Sequence, residues 1–148
     1  MKILKAKSAD FESVFELIVE LAHFEKLKPP NRAAKKRLFK DAFGEKPLYN
    51  IIIAKDGNQI TGYAFYFYTY SSFLAKKTLY LEDIYITQNE RTKGTGKLFF
   101  NELVKIAKKE NCRRMEWCVL DWNKNAIKFY NKLGAKPLKD WIYYRKTI

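Results

Sequence analysis

The chain has 148 residues, a length typical of one domain that buries its own core. Hydrophobic residues make up 47% of it, which is too many for a disordered or fibrous protein. With 29 Lys and Arg against 16 Asp and Glu, the formal net charge is +13. This charge favours an anionic partner such as nucleic acid, a membrane surface or a phosphate-bearing cofactor, although the basic residues are scattered and form no long run.

Cysteine and histidine are too few for a metal site or a disulfide framework. Cys112 and Cys118 are the only cysteines and form no CxxC pair, and His23 is the only histidine. We therefore expect no metal, a reducing compartment and a cytoplasmic location. Residues 1–9 lack the apolar core of a signal peptide, and no apolar stretch reaches membrane-spanning length.

Short strand and helix patterns alternate along the chain, which predicts an α/β fold. Residues 3–6 are predicted to form an edge strand. Ser8 is expected to cap a first helix, whose inward face begins at Phe11. Asn31 is expected to cap a second helix, which buries Phe39 and which Gly44 closes.

The second half of the chain continues the alternation. Strands are predicted at 48–55 and 59–70, joined by the hairpin signal Asp56-Gly57-Asn58. A strand at 78–86, a helix at 97–110 with Asn111 as its C-terminal cap, and a strand at 115–120 follow. A short helix at 126–133, stopped by Gly134, and a final strand at 141–146 complete the prediction.

A glycine turn, residues 91–97 (RTKGTGK), lies between a predicted strand and a predicted helix. Glycines there let backbone N–H groups approach a phosphate closely, and the start of the following helix adds aligned donors. On its own the turn is equally consistent with an ordinary strand-to-helix connection. A nucleotide-hydrolysing P-loop fits the turn poorly, because Arg91 replaces its first glycine and Leu98 replaces its metal-binding hydroxyl. A dinucleotide fingerprint fails at Phe99, where it needs Gly or Ala.

Several motifs in order resemble one known family. Arg91, Gly94 and Gly96 after an apolar strand resemble the acetyl-CoA pyrophosphate motif of the GNAT N-acetyltransferase superfamily. The segments YLED at 80–83, DWN at 121–123 and FYNKLGA at 129–135 look like its spermidine/spermine (diamine) acetyltransferase branch, as do 20–22, 43–47 and 68–70. The similarity covers nearly the whole chain. It implies a single-domain GNAT-like α/β fold over residues 1–148, with a mixed, mostly antiparallel central sheet flanked by helices.

By this resemblance the chain binds acetyl-CoA as acetyl donor. The backbone of Ile84, Tyr85 and Ile86 would bind the pantetheine arm and the acetyl carbonyl, and N–H groups of the glycine turn would hold the pyrophosphate. The residues implied in cofactor binding are Ile84, Tyr85, Ile86, Arg91, Thr92, Lys93, Gly94, Thr95, Gly96, Lys97, Asn123, Lys124, Asn125, Ala126 and Tyr130.

Acetyl transfer to an amine needs a base, because an aliphatic amine is protonated near neutral pH. We favour Glu82 as the base or as the holder of a water, with Asp83 as support; simple salt bridges are the alternative. The two are adjacent on a strand, so they point to opposite faces unless a bulge intervenes. Tyr130 would be the general acid beside the sulfur, although its helical spacing alone equally fits a core tyrosine. A free N–H at Ile84 could bind the oxyanion, and direct attack in a ternary complex is favoured over a cysteine intermediate.

The resemblance implies a small cationic substrate, with spermidine or another diamine first, a lysine-like amino acid such as thialysine second and a protein amine third. Implied substrate-binding residues are Phe24, Glu25, Glu82, Asp83, Glu116, Trp117, Cys118 and Asp140. It also implies a homodimer, without nucleic acid or membrane as partner. The other class that the composition permits is a basic nucleic-acid-binding module, using aromatics such as Tyr66, Tyr68 and Tyr70.

Overall fold

The computed structural model describes residues 1–148, and residue contacts divide them into a first unit, Met1–Trp117, and a second, Cys118–Ile148. The first unit contains β1 (Lys2–Lys5), α1 (Phe11–Phe24), α2 (Arg32–Phe43), β2 (Asn50–Asp56), β3 (Gln59–Ser71), β4 (Lys76–Ile86), α3 (Thr95–Lys109) and β5 (Arg114–Glu116). The second unit contains α4 (Lys124–Lys132).

The five strands form one sheet in the order β1-β2-β3-β4-β5. The first three neighbouring pairs are antiparallel and β4 pairs with β5 in parallel, so the predicted mixed, mostly antiparallel sheet is confirmed. β1 is an edge strand, as its short apolar pattern predicts. The hairpin between β2 and β3 turns at Gly57, whose φ of 57° is the left-handed conformation that glycine adopts without steric cost.

Helix caps follow local chemistry with one exception. The side chain of Asn31 accepts a hydrogen bond from the N–H of Ala34 at 2.9 Å, so α2 begins as predicted. The prediction that Ser8 caps α1 is wrong. Ser8 opens a single 3-10 turn, and the carboxylate of Asp10 accepts from the Lys7 N–H at 2.8 Å, which delays α1 to Phe11.

The core lies on both faces of the sheet. α1 buries Phe11, Val14 and Leu17, and the core around Val14 and Leu17 includes side chains of β2, β3 and β4. α3 buries Phe99 and Leu103. The prediction that Phe39 faces inward is only partly right. Its ring packs edge-on against Phe11 at 5.2 Å between centroids, but 42% of the side chain stays exposed because it sits at the margin of the α1–α2 contact.

Two predicted strands differ from the structure. The strand predicted at 115–120 is only Arg114–Glu116, because its parallel ladder with β4 ends at the Tyr80–Glu116 pair. The strand predicted at 141–146 is wrong, since the structure assigns it no strand ladder. Alternating aromatic side chains favour an extended backbone, but a strand also needs a neighbouring strand as hydrogen-bond partner.

Candidate active site

A β-bulge in β4 decides which way its two acidic residues point. Tyr66 of β3 pairs with Leu81 and Phe65 pairs with Asp83, so Glu82 is the extra residue of the bulge. Cross-strand partners share a face of the sheet, and Tyr66 faces the acidic residues of α3. The bulge therefore shifts the alternation by one, which places Asp83 beside Phe65 on the α1 face.

Asp83 is a partly buried carboxylate that is hydrogen-bonded to a buried tyrosine. The hydroxyl of Tyr63, whose side chain is fully buried, donates to Asp83 Oδ2 at 3.2 Å. Burial, the neighbouring charge of Glu82 and the charge of Glu25 raise the pKa of Asp83 to about 6, and the Tyr63 hydrogen bond only partly opposes them. Burial and the charge of Asp83 in turn hold the pKa of Tyr63 well above its ordinary value. Asp83 is thus able to take up a proton close to neutral pH.

The end of α1 adds a further carboxylate to this place. Glu25 follows directly on α1, and partial burial raises its pKa. One turn earlier, Glu20 Oε2 accepts a hydrogen bond from the Tyr85 hydroxyl at 2.9 Å, which ties α1 to β4. Glu25, Glu82 and Asp83 therefore form an acidic cluster, named so below, in a chain whose net charge is +13. Such a cluster attracts a cation locally despite the overall charge.

The glycine turn has the geometry of an anion site. Thr92 has φ 65° and Gly94 has φ 90°, and left-handed residues in such a turn can direct backbone N–H groups into a concave nest. Gly94 is the N-cap of α3 and offers no side-chain cap. The first N–H groups of any helix lack intrahelical acceptors, so those of Thr95, Gly96 and Lys97 are available to a phosphate. The predicted cradle is consistent with this geometry.

The three cations of the turn are arranged differently from one another. Lys93 pairs with Glu90 at 3.0 Å, and Arg91 donates from Nε to the carbonyl of Ile86 at 2.9 Å. The Arg91 N–H donates to the Gln88 carbonyl at 3.2 Å, so its amide is occupied as well. Lys97 is exposed and lies in the first turn of α3, which contains the amides without intrahelical acceptors.

One edge of β4 carries no strand ladder beyond Tyr80. β5 pairs with β4 only at Thr78, Leu79 and Tyr80, whereas β3 pairs with β4 as far as Ile86. Backbone groups of β4 from Leu81 onward therefore lack strand partners on the β5 side. This is the stretch that contains Ile84, Tyr85 and Ile86, for which backbone contacts with a pantetheine arm were predicted.

The second unit places its predicted site residues on and before α4. Asn123 is the N-cap of α4, and its side chain accepts from the Ala126 N–H at 3.2 Å. Lys124, Asn125 and Ala126 form the first turn. Tyr130 lies in the same helix, with its ring centroid 5.5 Å from that of Phe129. Gly134 ends the helix with φ 80°, as predicted.

The remaining predicted substrate residues do not all share the acidic cluster. The carboxylate of Glu116 pairs with Arg114 Nε at 2.8 Å, and Trp117 packs edge-on against Phe100 with centroids 5.2 Å apart. Cys118 and Asp140 belong to the second unit. Glu25 belongs to the acidic cluster with Glu82 and Asp83. The ring of Phe24, the residue before it, packs against the guanidinium of Arg91, which also lies over the ring of Tyr85.

Comparison with known proteins identifies the family of the chain. The sequence profile described as "Acetyltransferase (GNAT) family" matches residues 11–135. The chain belongs to the GNAT acetyltransferase family. Members of this family transfer an acetyl group from acetyl-CoA, so the chain is an acetyltransferase that acts on an amine.

Relatives of this acetyltransferase include small-amine enzymes. Thialysine N-epsilon-acetyltransferases of Mus musculus and Bos taurus are 32% and 34% identical and cover 97% of the chain, which spans 91% and 90% of their lengths. The L-ornithine N5-acetyltransferase NATA1 of Arabidopsis thaliana is 44% identical over 60% of the chain and 39% of its own length. The human spermidine/spermine N(1)-acetyltransferase-like protein 1 is 32% identical over 97% of the chain and 22% of its length, which supports the resemblance to that branch.

Solved structures share the fold of this acetyltransferase. A probable acetyltransferase covers 100% of the chain and 98% of its own with a TM-score of 0.87 at 20% identity. A possible acetyltransferase from Clostridium difficile 630 covers 99% and 97% with a TM-score of 0.85, also at 20% identity. The predicted GNAT-like fold is confirmed.

Three further features concern the expectations about nucleic acid, metal and membrane for this acetyltransferase. Of the tyrosines named for a nucleic-acid-binding module, Tyr66 is only 5% exposed and faces α3, so its ring cannot stack on a nucleotide base. Tyr70 is 69% exposed. No three His, Cys, Asp or Glu side chains, those of the acidic cluster included, are arranged so that they could hold a metal ion. None of the helices is both long and apolar enough to cross a bilayer.

Sequence reasoning missed Tyr63 and Glu20. Tyr63 lies in an aromatic run of β3, and only the register, in which it pairs with Tyr85, shows that its hydroxyl lies diagonal to Asp83. Glu20 belongs to the ELA segment used for the resemblance, but its bond to Tyr85 crosses 65 residues of chain. The strand period combined with a correct register would have found Tyr63.

Replacement of Gly94 by alanine tests the anion site of this acetyltransferase. At φ 90° a side chain costs about 1–2 kcal/mol, and relaxation of the turn misaligns the amides of α3. We expect the dissociation constant for CoA to rise about tenfold by calorimetry, which corresponds to about 1.4 kcal/mol. Gly57→Ala is the matched control, because Gly57 also has a left-handed φ of 57° and open space but belongs to the β2–β3 hairpin and not to the glycine turn. It should lose similar stability and bind CoA normally; equal CoA affinity in both variants contradicts the cradle.

Proposed function

We propose that this acetyltransferase moves the acetyl group of acetyl-CoA to the terminal primary amine of a small cationic substrate by direct attack in a ternary complex. The observation that carries the proposal is the acidic cluster around Asp83, next to the stretch of β4 that lacks a β5 ladder. A carboxylate cluster attracts an ammonium group, and backbone groups of β4 can hold the donor alongside it.

Asp83 is the base in this proposal. A general base works best with a pKa near the operating pH, and the pKa of Asp83 is raised to about 6. The sequence alone favoured Glu82, which is the more exposed residue of the bulge. Glu82 then attracts the incoming ammonium and keeps the pKa of Asp83 raised by its charge. Tyr63 fixes the orientation of the Asp83 carboxylate through its hydrogen bond.

The chemistry balances in a single displacement. The ammonium gives a proton to Asp83, directly or through water, and the free amine attacks the thioester carbonyl carbon. The N–C bond forms, a donor such as the Ile84 N–H stabilises the oxyanion, the newly bonded nitrogen releases its second proton to water, and the C–S bond then breaks. Tyr130 gives the departing sulfur a proton or a hydrogen bond, in keeping with the predicted role of the FYNKLGA segment.

A lysine-like amino acid is the leading substrate. Full-length relatives are named for thialysine, and the Arabidopsis relative is named for L-ornithine. Each of these molecules carries an amine at the end of a short chain and an amino-acid group at the other. The net charge of +13 favours a substrate that also has a carboxylate, whereas it opposes the approach of a polyamine until the acidic cluster is within about 8 Å.

Polyamine acetylation is the second candidate function. It is favoured by the number of carboxylates in the acidic cluster, which exceeds what a single ammonium group needs. The human spermidine/spermine-like relative, aligned over 97% of the chain, supports the same substrate class.

An acetyl-CoA assay across amines tests the proposal. We expect turnover with thialysine, L-lysine and L-ornithine to exceed turnover with spermidine and diamines, and a lysine-containing peptide to be the poorest acceptor. The reason is that the acidic cluster selects a small cation while the basic surroundings accept a carboxylate. Spermidine ahead of the amino acids would select the second candidate. Activity with the peptide alone would contradict both.

A further inference from the structure

The side chain of Arg91 contacts a backbone carbonyl and two aromatic rings within the protein. Its Nε donates to the Ile86 carbonyl at 2.9 Å, and its guanidinium carbon lies 5.1 Å from the ring centre of Phe24 and 5.4 Å from that of Tyr85. A planar guanidinium stacks on aromatic rings and donates hydrogen bonds at the same time, which an ammonium cannot do. Arg91 therefore joins the end of β4 to the last residue of α1.

The end of α1 needs such a contact because its backbone is strained. The Leu27 N–H donates to the Ala22 carbonyl at 2.8 Å and the Lys26 N–H to the His23 carbonyl at 3.1 Å, which together form a Schellman motif. The left-handed position of this motif usually holds glycine, but here it holds Lys26 with φ 58°. A side chain in that conformation loosens the turn unless tertiary contacts hold it.

The strained turn bears directly on the amine site. Phe24, the ring beside Arg91, is followed by Glu25, whose charge acts on both Asp83 and Tyr63. One turn earlier Glu20 is bonded to Tyr85, the second ring beside Arg91. The guanidinium is thus at the centre of the contacts that place Glu25 near the carboxylate of Asp83.

We propose that Arg91 is a positioning residue for the amine site, holding the end of α1 and with it Glu25 against β4, and that it is not a phosphate ligand. The inference rests on the acetyl transfer proposed above. It assigns the phosphate charge contact to Lys97, which is exposed in the first turn of α3.

Kinetics separate the two roles. In Arg91→Gln we expect KM for the amine to rise about tenfold while the dissociation constant of CoA changes less than about twofold. Arg91→Lys should resemble Arg91→Gln, because a lysine keeps the charge but lacks the planar group that stacks on both rings and donates hydrogen bonds at the same time. Lys97→Gln is the matched control with the same loss of charge. It should raise the dissociation constant of CoA about fivefold. The KM for the amine should stay unchanged, and so should the KM for acetyl-pantetheine, which lacks the pyrophosphate.

The acid limb of the pH profile gives a second readout. When Glu25 moves away, its repulsion of the Asp83 carboxylate falls, so the apparent pKa in kcat/KM of Arg91→Gln should shift below that of the wild type. The same limb should stay in place in Lys97→Gln. A tenfold weaker CoA affinity in Arg91→Gln with an unchanged amine KM and pH profile would overturn the proposal.

Hydrogen exchange without substrate tests the positioning role independently of turnover. Exchange at the amides of Glu25, Lys26 and Leu27, all bonded to carbonyls of α1, should be about tenfold faster in Arg91→Gln and unchanged in Lys97→Gln. Unchanged exchange in Arg91→Gln would refute the inference. Absence of any amine acetylation in the wild type would instead refute the proposed function, and the exchange result would stand by itself.

Discussion

Asp83→Asn is expected to lower kcat by at least about a hundredfold, since a positioned general base typically contributes that much or more. The asparagine keeps the shape of the side chain and can still accept a hydrogen bond from Tyr63, but it cannot take up a proton. In the wild type kcat/KM should rise with pH through about 6, the pKa of Asp83, and this limb should disappear in the variant. Steady-state rates between pH 5 and 9 check both expectations.

The same substitution should stabilise the protein at neutral pH. The pKa of Asp83 is raised from 3.8 to about 6, so its contribution is favourable below about pH 4 and is lost as pH rises through 6. The full effect corresponds to about 3 kcal/mol, of which the neutral amide should recover about 1–2 kcal/mol. We expect the melting temperature of Asp83→Asn to exceed that of the wild type by a few degrees at pH 8 and not at pH 4.

Glu82→Gln is the matched control for these experiments. The exposed bulge residue should affect KM for the amine more than kcat, and the acid limb should shift to lower pH because a neighbouring negative charge is removed from Asp83. If Glu82→Gln abolished the limb and Asp83→Asn kept it, the base would be Glu82, as the sequence alone favoured. Loss of activity without any change in the pH profile would contradict both assignments.

Tyr130→Phe is expected to lower kcat about a hundredfold while CoA affinity stays within about twofold, because the variant loses only the hydroxyl that assists the leaving thiolate. The phenyl ring should keep the contact with Phe129 and leave α4 intact. Single-turnover rates and calorimetric CoA binding are the measurements.

Tyr144→Phe offers the corresponding control. It removes the same hydroxyl from the same unit at a position for which no role is proposed. Its kcat should equal that of the wild type. Normal turnover in Tyr130→Phe would show that the thiolate leaves without help from this residue, and Tyr130 would then be a core tyrosine of α4.

Local features of the chain were predicted well because nearby residues determine them. Asn31 caps α2 through its own side chain, and Gly94 turns into α3 because few other residues adopt φ 90°. Asn111 ends α3 in a left-handed conformation, as its type predicts. The resemblance of these local motifs predicted the GNAT family, and the comparisons confirm it.

Features that depend on register or on a partner strand were not predictable from local pattern. The extra residue at Glu82 is defined only by the pairs that Phe65 and Tyr66 make with β4. The segment 141–146 has the composition of a strand and no ladder. The placement of Arg91 between two rings likewise depends on where α1 ends, whereas the resemblance implied only that Arg91 belongs to the cofactor site.

The bulge at Glu82 makes the face on which Asp83 lies depend on the register between β3 and β4. Side chains before it line the α3 side with Leu79 and Leu81, and those after it present Asp83 and Tyr85 to α1. Loss of Glu82 would restore a regular ladder in which Asp83 still pairs with Phe65, whereas a register in which Glu82 pairs with Phe65 would turn the Asp83 carboxylate into the opposite layer. Single substitutions can thus alter amine selectivity by degrees, whereas a one-residue slip in the register of this strand would eliminate catalysis while sparing the sheet.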